Sequence, residues 1–121
     1  MPMQTHSGPT VLFVKSLLGL QMTGRENAVL GVVEDVALDE SGKVAYIALA
    51  HGGLLGTALG GKHFAVPFGA IAIHNDGQGG LQLTLDASAA ELAGAPGYDP
   101  QNPPLAADAS FHEGPAMTLR V

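Results

Sequence analysis

Cysteine and tryptophan are both missing from this chain of 121 residues. Without cysteine there is no disulfide, no thiolate nucleophile and no cysteine-based zinc site. The absence suits a reducing compartment. Aromatic residues make up only 5% of the chain, so the core must be built largely from Ala, Gly, Leu and Val. Charge is sparse as well, at 13%, and eleven acids outnumber five bases for a net charge of −6. The bases Lys15, Arg25, Lys43, Lys62 and Arg120 stand singly. Nucleic-acid binding relies on clustered cations that displace counterions from phosphates, so nucleic acid is not expected as a direct partner. No window reaches the ~18 apolar residues of a spanning helix. The opening MPMQTHSGPT lacks the basic region of a signal peptide. No membrane span is expected, and the cytoplasm is the expected location.

What is present points to one domain with a real core, since 46% of the residues are hydrophobic. Residues 1–13 read as a lead-in. "KSLLGL" has the form of a single turn, capped by Ser16 and ended by Gly19. In "VLGVVEDVALD", Leu30, Val32, Val36 and Leu38 share one parity, as a strand requires. Glu34 falls on the same parity, which predicts a bulge near Val33 to Asp35. The turn "DESGK" leads to "KVAYIALA", a strand apolar on both faces and therefore buried on both. "HFAVPF" is a further strand, which Pro67 confines to an edge or terminates. "IAIH" and "LQLTL" flank "NDGQGG" as a hairpin. Ser88 and Glu91 stand at capping-box spacing before a short helix at Ala89 to Ala93. The Pro-rich run from Tyr98 to Ala109 reads as an extended linker, and the closing "AMTLRV" as one more strand, available to a neighbour's sheet edge. The expected fold is mainly β: a small closed barrel of five to six strands with one short C-terminal helix.

These pieces, in order, carry a resemblance. "SLLGLQM", "VLGVVEDVALDESGKVAYIALAHGGLLG", "HFAVPFGAIAI" and "LQLTLDASAAELAGAPGYD" together resemble the PRC-barrel family. The resemblance spans residues 14–99 and leaves 100–121 as a C-terminal extension. It implies a small β-barrel whose theme is protein binding and assembly, and it brings no catalytic residue set. The family includes the cytoplasmic domain of the photosynthetic reaction-centre H subunit and the C-terminal domain of a ribosome maturation factor. This chain looks like a stand-alone member.

Three chemistries compete with the binding reading. "GTALGGKH" lies one residue from the phosphate loop G-x-x-x-x-G-K-S/T. A phosphate loop needs a hydroxyl after the lysine and a helix beginning there. His63 and the strand pattern "FAVPF" stand in those places instead. His51 and His63 bracket the Gly-rich loop and, with Lys62, form the candidate ligand or metal site. A third metal ligand would come from Glu34, Asp35 or His112. Adjacent acids such as Glu34 and Asp35 point to opposite faces of a strand, so acid–base catalysis is not expected there.

The expected function is a non-catalytic interaction module that self-associates, most simply as a homodimer. No cofactor is expected. Leu54, Leu55 and Leu59 in the Gly-rich loop, with Phe68, are the candidate contact surface. The alternatives are a ligand- or metal-binding protein using the Gly loop, and an accessory factor in RNA or ribosome maturation.

Overall fold

Alternating apolar residues bounded by Gly, Asp and Ser turns give this chain its strands. The structure is a computed structural model that describes residues 11–52, 61–75, 80–111 and the backbone of 119–120. The chain begins with α1 (Val14–Leu17) and β1 (Gln21–Thr23). The first turn starts earlier than expected: its N-cap is Phe13, whose carbonyl accepts from the Ser16 amide at 2.9 Å. Ser16 is therefore inside α1 and does not cap it. Gly19, at φ +85°, ends the turn as expected.

A 3₁₀ turn at Arg25–Asn27 leads into β2 (Val29–Leu38), which pairs antiparallel with β1 and with β3 (Val44–His51). The β2–β3 register shifts between Val33 and Asp35, the expected bulge. It resets the parity of the strand. Leu30 and Val33 are buried, whereas Val32 is half-buried and Leu38 is 63% exposed. The single stripe Leu30, Val32, Val36, Leu38 is thus corrected: the β1–β2 register also shifts, between Met22 and Thr23, leaving Leu30 unpaired, and Val33 rather than Val32 is the next core residue. Glu34 and Asp35 are both exposed.

β3 is buried without a break from Tyr46 to Ala50, as its two apolar faces require. It pairs antiparallel with β4 (Lys62–Val66), which stops at Pro67, where the ladder loses its donor. A 3₁₀ turn at Phe68–Ala70 leads to the antiparallel pair β5 (Ile71–Asn75) and β6 (Leu81–Leu85). The hairpin tip lies outside the described residues. α2 (Ala89–Gly94) opens with the predicted capping box: the Ser88 hydroxyl accepts from the Glu91 amide, and the Glu91 carboxylate accepts from the Ser88 amide. β7 (Leu119–Arg120) runs parallel to β5 within the same sheet.

The strand order is β4-β3-β2-β1-β6-β5-β7, with β1 and β6 parallel. The ladder therefore has two ends, where a closed barrel has none. It still curls around one interior: Phe64 and Val66 of β4 share a buried cluster with Ile71 and Ile73 of β5, five strands away. Each such side chain contributes about 1.5–3 kcal/mol on burial.

The stretch from Tyr98 onward is a packed strap, not a free linker. The Tyr98 and Asp108 amides donate to the His63 and Ala65 carbonyls of β4, each at 2.8 Å. The Tyr46 hydroxyl donates to the Pro104 carbonyl at 2.9 Å. Tyr46, Ala48 and Ala50 of β3 and Ala65 of β4 form the outer face beneath, and each is buried. Alanines let the strap lie close to the sheet. The strap covers the β4 edge, which would otherwise invite pairing with another chain.

Candidate functional site

The Gly-rich connection between β3 and β4 was the richest stretch of candidate chemistry. Residues 53–60, with Leu54, Leu55 and Leu59, lie outside the described residues. Its two shoulders are described. His51 pairs with Lys62, and Ala50 with His63, across the β3–β4 ladder. Partners in an antiparallel ladder share a face, and neighbours alternate. His51 and Lys62 therefore stand on one face, and His63 on the other. The two histidines that bracket the loop therefore do not share a face of the ladder.

Each of the three side chains has a structural partner. The Leu30 carbonyl can only accept, so Nδ1 of His51 carries the proton that joins them. The ring also packs edge-on against Phe64, with centroids 5.9 Å apart. Nε2 of His63 lies 2.9 Å from a carboxylate oxygen of Glu34, and its ring lies 5.6 Å from that of Tyr98. Lys62 Nζ donates to the carbonyls of Ala93, at 2.6 Å, and Ala95. These are the acceptors that α2 leaves unsatisfied at its C-terminus, where a cation is favoured. Lys62 sits in a strand, so the helix that a phosphate loop requires does not begin there. Among the described residues, no group of three His, Asp or Glu side chains is placed to hold a metal ion.

A second charged cluster was not foreseen. Arg25 bridges Asp86 at 2.8 Å and Glu91 at 3.1 Å, and its amide donates to the Ala87 carbonyl. The Asp86 contact raises the Arg25 guanidinium above its ordinary value. Glu91 is held below its ordinary value, first by the Ser88 amide and then by Arg25. A cleft of about 170 Å³ lies beside this cluster, floored by Phe64, Leu92 and Phe111. The signal in the sequence was the acid three residues into α2, but its partner lies 66 residues away. Spacing alone could not have named Arg25.

Tyr46 and Tyr98 are the other residues that the sequence left unassigned. Their rings meet edge-on at 6.1 Å. Burial raises the phenol of each above its ordinary value, and Asp35 and Tyr46 respectively add to the shift. Phe68 is half-buried and packs against the core cluster.

A model of the PRC-barrel domain matches residues 9–89, more than half of the chain. The chain belongs to the PRC-barrel family. Among curated proteins, none matches it. The family match ends at Ala89, so most of α2 and the whole strap lie beyond the matched segment. Among the described residues, no helix is long and apolar enough to cross a membrane.

Proposed function

We propose that this PRC-barrel chain is a non-catalytic protein-interaction and assembly module that self-associates as a homodimer in the cytoplasm. One contrast carries the reading. The side chains with chemical potential are engaged in structural contacts: Lys62 on α2, Arg25 on two acids, His51 on Leu30 and His63 on Glu34. Large apolar side chains, by contrast, are left in water along one segment: Val11, Phe13, Val14 and Leu18 are each more than 40% exposed. An exposed apolar set of this size on a small domain marks a contact surface. The family theme of protein binding supports the same reading.

Sedimentation velocity across the micromolar range tests it. The expected result is a concentration-dependent shift from monomer to dimer. A single monomeric species up to several hundred micromolar would overturn self-association. The ligand reading at His51, Lys62 and His63 gains no support from the β3–β4 register, because the two imidazoles stand on opposite faces. An RNA-maturation role needs a basic face, and Arg25 and Lys62 are already committed within the fold.

A further inference from the structure

We infer that the cleft between α2 and the end of the strap takes a single arginine side chain from a basic protein partner, a site that rests on the interaction-module reading above but not on the dimer.

Three elements wall the cleft, and each is pinned. The Arg25 amide donates to the Ala87 carbonyl at 2.9 Å, which fixes the 3₁₀ turn beside the end of β6. Lys62 holds the C-terminus of α2 through the Ala93 and Ala95 carbonyls. The Asp108 amide donates to the Ala65 carbonyl at 2.8 Å, and the Phe111 ring meets Phe64 edge-on with centroids 6.0 Å apart. Walls fixed in advance spare a ligand the cost of ordering them.

The floor is apolar. Phe64, Ala87 and Leu92 belong to the buried core, and Ala95 and Phe111 pack against it. At about 170 Å³ the space suits one side chain. Drug-sized ligands take pockets of about 300–1,000 Å³, whereas an apolar cavity of about 150 Å³ admits benzene.

Charge selects the occupant. Asp86, Glu91 and Asp108 face the cleft against Arg25 alone, a net of −2. Arg25 is spent: Nε and Nη2 serve Asp86, and Nη1 serves Glu91. An incoming carboxylate or phosphate would have to displace those acids and would still meet Asp108. Oδ1 of Asp108 accepts from the Ser110 amide and hydroxyl, at 2.9 and 2.7 Å. Among the described residues no cation pairs with Asp108. These acids are not placed for a bare metal ion, since no three of them converge among the described residues. A cation on an apolar stem matches both the rim and the floor. Arginine is that shape: its methylenes cover apolar surface, and its flat guanidinium stacks on a ring such as Phe111 while pairing with a carboxylate. The chain's net charge of −6 attracts a basic partner from a distance and repels a second copy.

Amide NMR titration of the full chain with Nα-acetyl-arginine amide tests the site. Saturable shifts are expected at the amides of Ala95, Ser110 and Phe111, with a Kd on the order of 1 mM, the scale of so small a ligand. Nα-acetyl-norleucine amide, with an apolar stem and no charge, is expected to bind at least about fivefold more weakly. Asp108→Asn keeps an acceptor for Ser110 and removes the charge. It is expected to raise the Kd for the arginine amide about fivefold, the upper scale of an exposed ion pair. Ala95→Leu fills the cleft and is expected to abolish the shifts; should it fail to fold, the Asp108→Asn result decides. Shifts that do not saturate, that map elsewhere, or that Asp108→Asn leaves unchanged would overturn the site. Equal binding of the norleucine amide would overturn it too. Sedimentation of Asp108→Asn is expected to match the wild type. A dimer weakened by this variant would put a second copy in the cleft and overturn the outside partner. A chain that dimerises without binding the arginine amide loses this site alone, and a monomer that binds it loses only the dimer.

Discussion

Tyr46 ties two layers together with one oxygen. Its hydroxyl holds the strap through Pro104 while its ring rests on Tyr98. Tyr46→Phe keeps the ring and removes the bond. Loss of a neutral hydrogen bond costs about 1 kcal/mol, and the effect should concentrate in the strap. Hydrogen exchange at the Tyr98 and Asp108 amides is expected to quicken in this variant, with core amides of β2 and β3 unchanged. The phenol also links strap and pH. Burial raises its titration above the ordinary value of 10.0. A raised folded-state value stabilises the fold below the unfolded value and is lost as pH rises through the folded one. The wild type should therefore lose strap protection in alkali, and Tyr46→Phe should lose less. Lys62 teaches the complementary lesson. The sequence offered it as a phosphate ligand, but its length and charge suit the C-terminus of α2, 31 residues away.

At the scale of elements, local patterns were legible and long-range ones were not. The bulge after Val33 could be foreseen because an acid broke the alternation. The capping box of α2 could be foreseen because both of its residues lie within four positions. Pro67 announced the end of β4, since a missing amide has one local consequence. β1 went unread, because three residues carry no period. The strap went unread as well: its Pro and Asp content describes a linker, and only the carbonyls of β4 turn it into a cover. The candidate site fared similarly. Its residues were named, but whether His51 and His63 share a face depends on the β3–β4 register, which no spacing encodes. Gly31 adds a constraint of its own. A Cβ there would meet the Ala50 carbonyl oxygen at 2.1 Å. That oxygen belongs to the backbone of β3, so the two strands would have to part. Gly31→Ala is expected to destabilise the fold by about 1–3 kcal/mol or more, the scale of overpacking. Urea denaturation followed by circular dichroism measures it.

For the molecule as a whole, the acid side of the stability profile is set by carboxylates held in their charged form. Glu91 is depressed by the Ser88 amide and Arg25, and Asp39 by the Ser41 hydroxyl and then the Lys43 amide. A depressed folded-state value gives stability that is present above the unfolded value and is lost as pH falls through the folded one. Thermal unfolding midpoints should therefore decline as pH drops below the ordinary carboxylate range. Both groups are well exposed, so the decline should be shallow and should flatten further in high salt. Glu91→Gln should remove part of the slope. The parallel pairing of β1 with β6 has a different kind of consequence, for how the chain comes off the ribosome. Met22 sits beside Leu83, and among the described residues β1 alone joins β2, β3 and β4 to β5 and β6 in the ladder. The β2–β3 hairpin can form early from near neighbours, but the sheet stays in two pieces until about two thirds of the chain has been made. Contacts of such separation slow folding, and domains fold as units during synthesis. The first half of this protein must therefore wait, with its apolar face uncovered, for a strand that is synthesised some sixty residues later.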